Sequence, residues 1–449
     1  MTKTTQTLDA FLASHPDLET FEVILPDMAG GLRGKWVTRD KIGKVMEGGL
    51  KLPLSSLAFD VWGRDAEAYV FDSGDGDGYA VADVRTLAPV SWAKRPTGQV
   101  LISLREISGE TSPIDARAQV QRQVDRLAGL GFTAVVASEM EFFLLKNARD
   151  LLGRPQHTQT DRVGGALQTG QTYGIETMQD MQDVMHGIRD ACVAQSLPID
   201  TLIKESAPSQ YEINLYHSND ALLAADQALM LQRVIRGVAA THDLHATFMA
   251  KPFGELAGNG MHLHCSLLNE EGANVFDSGD DRGTELLRQA IAGCLQTLPD
   301  IMLLLAPNLN SYRRFQRGSH APLAPSWGYE NRTVAVRVPT DAPIATRLEH
   351  RVAGADAQPH LAIAALLAGV AYGIESRLEA PAPLTGNAYD QLPPSLPRYW
   401  PDALERFEQS EFVSDYLGDE FQRVHALVKR QEMDEFDRQV TPLEYDANL

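Results

Sequence analysis

Two glutamates stand two residues apart in Ser138–Leu145 (SEMEFFLL). In an extended strand successive side chains alternate, so Glu139 and Glu141 share one face while Phe142 and Leu144 take the other. On a surface strand this pair would be a solvated edge. The run before it, TAVVAS, reads as interior, and buried like charges require a cation. Three further segments repeat the pattern. Asn259–Leu267 (NGMHLHCSL) puts His262 and His264 on one face, Ala345–Val352 (ATRLEHRV) does the same for Glu349 and Arg351, and Glu205 and Glu212 bracket a short turn in KESAPSQYEINL. Taken singly, each is as well explained by a core histidine or a surface ladder. Together, five carboxylates and a histidine would supply two sites for hard divalent cations such as Mg²⁺ or Mn²⁺. Arg313, Arg314, Arg332 and Arg337 cluster between Asn310 and Pro339, with Arg351 close behind. Planar guanidinium groups beside divalent metals suit a transferring phosphoryl group or a substrate carboxylate; the plainer reading is a structural salt-bridge network. No GxxxxGK[ST] and no GxGxxG occurs, so neither a P-loop nor a Rossmann turn explains nucleotide binding.

Elements that could hold these groups follow from pattern. Residues 7 to about 105 mix a short helix (Leu8–Ser14), a β-like run (Phe21–Leu25) and turns rich in Gly and Pro, which predicts a small α+β unit. The acidic loop Asp72–Gly78 resembles a calcium loop, but Tyr79 stands where a third alternating carboxylate should follow, and a solvated turn is the expectation. From Ser112 a capped amphipathic helix ending in glycine precedes a strand over Thr133–Leu145. Helical patterns over Met178–Gln195, Asp220–His242, Glu285–Thr297 and Pro359–Leu378 alternate with strands, and Pro381–Pro397 reads as a loop.

Composition narrows the class. The 449 residues carry 40 Lys+Arg against 60 Asp+Glu, a formal net charge of −20, and no basic cluster is dense enough for a nucleic-acid partner. Three scattered cysteines without a CxxC pair point to a reducing cytoplasm and against zinc. The N-terminus lacks an apolar core behind a basic start, and the most apolar stretch, Leu361–Ile374, is too short to span a bilayer, so neither a secretory signal nor a membrane partner is expected.

Over almost its whole length the chain resembles the glutamine synthetase family, through SEMEFFLL, ESAPSQYEINL, TFMAKPFGELAGNGMHLHCSL, NSYRRF, ENRTVAVRVP and RLEHRVAGADAQPHLAIAALLAG in family order. The resemblance implies an α+β fold with a β-grasp N-terminal domain (residues 1–108) and a catalytic domain (109–449) built on a curved antiparallel sheet flanked by helices. It also implies a dodecamer of two hexameric rings, with active sites between subunits. By motif, one metal site looks like Glu141, Glu205 and Glu212, the other like Glu139, His262 and Glu349. Two or three Mg²⁺ or Mn²⁺ ions would serve ATP as co-substrate. Arg314 and Arg351 match contacts to glutamate or its phosphorylated intermediate, as does the backbone of Gly258, although the neighbouring family asparagine is Ala257 here. Arg332 matches a phosphoryl-transfer arginine, Arg337 a phosphate ligand, and His264 and Ser266 nucleotide contacts.

Two departures concern the nucleophile. Ammonia-using relatives close their ammonium site with a glutamate where RRFQRGSHAPLAP has His320, and carry an aspartate where LKLPLSSLAFD has Pro53. Activation chemistry is kept while the groups that trap a small cation are lost, so the expected acceptor is a larger primary amine. ESAPSQYEINLYH and APSWGYENR are similar to the γ-glutamylpolyamine synthetase branch. Trp62, His320, Trp327 and Tyr329 are candidates for the amine pocket, and Asp60 or Glu330 for a cationic tail; for each, ordinary packing is the competing explanation. The rivals are an ammonia-dependent glutamine synthetase with His320 as base, which ammonia kinetics would reveal, and a non-catalytic structural or regulatory oligomer, which a metal titration would. Tyr389 resembles the nucleotidylated tyrosine of some relatives, but Gln391 is inserted beside it and an exposed loop tyrosine is expected.

Overall fold

The computed structural model describes residues 7–160, 165, 166, 170–280 and 282–449. The first six residues of the N-terminal stretch that lacks a signal pattern lie outside that range. Two sheets organise the chain. The first runs Leu32–Thr38, Thr20–Pro26, Thr97–Arg105, Asp77–Ala82, Lys51–Pro53, with Ala88–Pro89 also on Thr97–Arg105; its one parallel pair is Thr20–Pro26 with Thr97–Arg105. The acidic loop is divided between the end of helix Glu67–Ser73 and the start of strand Asp77–Ala82, leaving a turn at 74–76 rather than a cation loop.

The second sheet runs Ile199–Lys204, Gln210–Leu215, Thr133–Arg149, Met261–Leu268, Leu348–His350, Val336–Val338, Trp327–Tyr329. Its pairs are antiparallel except the last, which is parallel. Helix starts follow the capping chemistry of the sequence. Asp115 accepts from the Arg117 and Ala118 amides, Asp220 from Leu223 and Gln358 from Leu361, each meeting an amide the first turn cannot bond. The expected helix over Met178–Gln195 is two, Ile175–Gln179 and Gln182–Ala194. The one expected to end at Thr297 continues through Pro299 to Leu305, because Ile301 to Leu305 are all buried and that burial outweighs the lost hydrogen bond.

Met140, Phe142 and Leu144 face the helices, fully buried in one continuous core. Behind them helices Glu285–Leu305 and Pro359–Glu375 touch backbone to backbone. A Cβ on Gly293 would collide with the Gly369 carbonyl, and one on Gly373 with that of Gln289. Arg117 ties the first sheet to two helices, its own (Ala116–Gly129) and Ala221–Thr241: it holds Asp226 with Nε and Nη2 at 2.8 Å each, Asp83 at 2.7 Å and Ser103 at 2.9 Å. Asp226 also bonds His360 at 2.8 Å, so this buried cluster is fully paired, as removal of it from water requires. Among the described residues no helix is long and apolar enough to cross a membrane.

Candidate active site

Strand register gathers the acidic groups. Glu139 pairs across with Asn214 on one side and His262 on the other; Glu141 faces Glu212, and His264 faces Glu349. Cross-strand partners point to the same face, so four strands deliver their polar side chains to one patch. Glu139 is its centre: Oε2 lies 3.0 Å from His262 Nδ1 and Oε1 2.9 Å from His264 Nε2. His262 Nδ1 is also 3.8 Å from Glu349 Oε1. Glu349 accepts from Arg337 at 2.8 Å and from Arg351. The Gly260 amide donates to Glu141 at 2.6 Å, and Glu205 sits on the hairpin turn with the Ser206 amide at 3.3 Å.

The grouping differs from the one the motifs imply. Ligand atoms of Glu139, Glu212 and His262 lie within 4.8 Å of one another, and so do those of Glu139, His264 and Glu349. Glu139 is thus common to both groups. His264, assigned by resemblance to the nucleotide, stands among the carboxylates. Glu141 and Glu205 are close enough to act on each other and on Glu212 electrostatically.

Burial pushes the Glu212 carboxyl up to about 9, with Glu141, Glu139 and Glu205 adding repulsion. Burial and then Glu205 push Glu141 up to about 7, and burial raises Glu205 as well. Glu139 goes the other way: burial opposes its charge, but hydrogen bonds from His262 and His264 outweigh it and hold the carboxyl well below its ordinary value. Three carboxyl groups therefore lack the positive charge their positions call for, and their hard oxygen donors with imidazole nitrogen suit a divalent cation such as Mg²⁺ or Mn²⁺. The arrangement has a pH consequence. Raised carboxyls stay protonated in the folded protein after the unfolded chain, near its ordinary 4.5, has lost its protons. Their contribution is complete below that value and is lost as pH rises through about 7 and about 9. A bound cation replaces those protons. Melting curves should show a larger stabilisation by Mg²⁺ over chelator at about pH 8 than at about pH 6; an equal shift at both would contradict it.

Arginines flank the patch. Arg314 is buried and donates to the Val352 carbonyl at 2.8 Å and the Arg351 carbonyl at 3.4 Å. The backbone passes directly beneath it: a Cβ at Gly260 would lie 2.7 Å from its Nη2, and one at Gly258 3.1 Å from its Cγ. Arg337 and Arg351 keep buried Nε–H groups without a partner among the described residues. Arg332 is exposed and near enough to Glu205 to favour its charge. Beside the patch opens a cavity of about 1050 Å³. Glu139, His264, Ser266 and Arg347 are among its lining residues, together with Tyr216 and Ile344, so it joins charged, aromatic and apolar groups. Arg347 was not singled out from the sequence, although its alternation with Glu349 and Arg351 was available as a signal. It donates to His264 Nδ1 at 3.3 Å, which places that ring's proton on the nitrogen facing Glu139.

The amine-pocket candidates are dispersed. Trp327 is buried, with its indole N–H spent on the Pro381 carbonyl at 2.7 Å and its ring 5.2 Å from Tyr329, so it is core. Trp62 is 47% exposed, between the Arg64 guanidinium and Phe436 of helix Asp419–Asp437. Asp60 is not available to a cationic tail, being fully buried and bonded to the Trp62 and Arg64 amides, Arg64 Nε and Gln431. Glu330 holds Arg337 at 3.0 Å and the Thr340 amide. His320 is exposed, with a left-handed φ of 58°. Tyr389 is half-buried rather than exposed: its hydroxyl donates to the Ala321 carbonyl at 2.8 Å, next to His320, and Arg317 bonds back to its carbonyl at 2.9 Å.

The glutamine synthetase catalytic domain family matches residues 113–448. Over 447 residues the chain is 36% identical to a gamma-glutamylputrescine synthetase of Escherichia coli, covering 99% of this chain and 94% of that one. It is 33% identical to a gamma-glutamylethanolamide synthetase of Streptomyces coelicolor (96% and 93% covered) and 32% to a glutamate–isopropylamine ligase of a Pseudomonas species (93% and 92%). A solved GmaS complex with ADP superposes with a TM-score of 0.85 at 26% identity, covering 98% of this chain and 99% of that one.

Proposed function

Because the chain belongs to the glutamine synthetase family, whose enzymes use ATP and divalent metals, we propose that it joins the γ-carboxylate of glutamate to an organic primary amine at the expense of ATP. The observation that carries this reading is that three relatives matched over nearly their whole length are each named for glutamate–amine ligation. The site supports it: a cation patch lies beside a cavity of nucleotide size, and the exposed turn at His320 offers no carboxylate for ammonium.

A carboxylate is a poor electrophile and must first become an acyl phosphate. Two or three Mg²⁺ or Mn²⁺ ions bound at Glu139, Glu141, Glu205, Glu212, His262 and Glu349 would neutralise the polyphosphate. Arg337, Arg347, His264 and Ser266 orient the nucleotide, and Arg332 meets the charge that develops on the γ-phosphoryl group in flight. Arg314, Arg351 and the glycine backbone at Gly258 hold glutamate, the close approach of that backbone leaving room for no side chain. The amine nitrogen then attacks the acyl carbon, the bond to the phosphate oxygen breaks and inorganic phosphate leaves, and the proton lost by the amine goes to a base, the role offered to His320. The division into an N-terminal unit ending near 108 and a catalytic unit, and assembly as paired hexameric rings, belong to the same proposal.

The test is ATP- and glutamate-dependent phosphate release with Mg²⁺, comparing ammonium with diamines, polyamines and monoamines and weighing each product. One organic amine should turn over far faster than ammonium. Ammonium as the best acceptor would return the chain to glutamine synthetase proper.

A further inference from the structure

Asn214 stands on strand Gln210–Leu215 two residues after Glu212, so both side chains face the patch. Its cross-strand partner is Glu139, the carboxylate common to both groups, and it lines the cavity. Its amide donates toward Glu212, whose ionised carboxylate can only accept. That fixes the orientation: with the NH₂ turned to Glu212, Oδ1 points the other way. There Oδ1 is buried with no hydrogen-bond donor among the described residues. Glu139 and ionised Glu212 are acceptors too, and the protons of His262 and His264 are already directed to Glu139. Among ionised carboxylates a buried amide oxygen is left with one kind of partner, a cation or the water such a cation holds, and neutral amide oxygens are ordinary ligands of hard divalent ions.

We propose that Asn214 is a positioning residue for a divalent cation: its amide N–H holds Glu212 in place while its Oδ1 faces the ion shared by Glu139, Glu212 and His262, directly or through one bound water. The inference rests on the ligase reading only in taking the patch to hold such an ion. A residue that merely packed the strand would be served equally well by leucine, and one that only braced Glu212 would leave its oxygen to solvent.

The experiment measures Mn²⁺ binding to the full-length protein by the loss of the free-ion electron paramagnetic resonance signal, with no nucleotide, glutamate or amine present. Asn214→Leu removes the oxygen at similar volume; Asn214→Asp keeps an oxygen there and adds charge. For Asn214→Leu the affinity of one class of site should fall about ten-fold, the size expected when a supporting group is lost, with the other class unchanged. Asn214→Asp should bind at least as tightly as wild type, and it decides the matter should the leucine protein fail to fold. Wild-type affinity in Asn214→Leu, or Asn214→Asp weakened below wild type, overturns the proposal. Because no turnover is measured, a wild-type protein that binds Mn²⁺ yet ligates no amine would overturn the ligase reading and leave the role of Asn214 standing.

Discussion

Arg332→Ala lowers kcat of the glutamate- and ATP-dependent reaction about 10³-fold while leaving Mn²⁺ binding and the melting temperature near wild type; arginines that stabilise a phosphoryl group in flight contribute on that scale. The separation of effects is what the structure adds. Arg337 and Arg351 are bonded to Glu349, so removing either disturbs a buried carboxylate and confounds chemistry with folding. Arg332 is exposed, and its charge is felt by Glu205 and Glu330 without a direct bond to either. Surface substitutions of that kind cost little stability, about 0.5 kcal/mol or less. Steady-state kinetics alongside a Mn²⁺ titration checks it, and a loss of metal affinity matching the loss of rate would show that Arg332 belongs to the cation patch instead.

Glu139→Gln should lower Mn²⁺ affinity at two classes of site together, by at least about 100-fold, and activity with it, since removing the charge of a direct ligand costs more than the 10–100-fold typical of supporting groups. The reasoning is that one carboxylate serves both ligand groups, one oxygen on each histidine. Glutamine keeps the side-chain shape, so the charge is what is lost. Glu349→Gln is the control: Glu349 is in one group only, and one class of site should weaken. Binding isotherms for all three proteins at one pH of about 8, so that proton competition at Glu212 is common to them, separate the cases. If Glu139→Gln weakened a single class, the two groups would not share their centre.

The strand alternation that places Glu139 beside Glu141 and His262 beside His264 is readable from the chain, because it depends on a two-residue period alone. Which of them meet is not, because that is set by register between strands, and a shift of one residue exchanges every partner. The pairing of His264 with Glu349 and of Asn214 with Glu139 is of this kind. The burial of Asp60 is not legible for a related reason: its carboxylate is satisfied partly by Gln431, 371 positions further on. The proline-rich stretch around Tyr389 reads as a loop and so predicts exposure, but the hydroxyl's partner at Ala321 is again remote in sequence. Pro299 marks a helix end by local rules; the burial that carries the helix past it is a tertiary fact.

The glycine contacts between helices Glu285–Leu305 and Pro359–Glu375 bear on how such an enzyme diversifies. Where main chains touch at Gly293, Gly369 and Gly373, a single added methyl has no rotamer by which to escape, so the rear wall admits no gradual variation. Exposed turns such as the one bearing His320 face water and tolerate exchange of side chains. Side chains can therefore change on such turns while the packed helices stay as they are, and one ancestral mould can carry many surfaces without being recast.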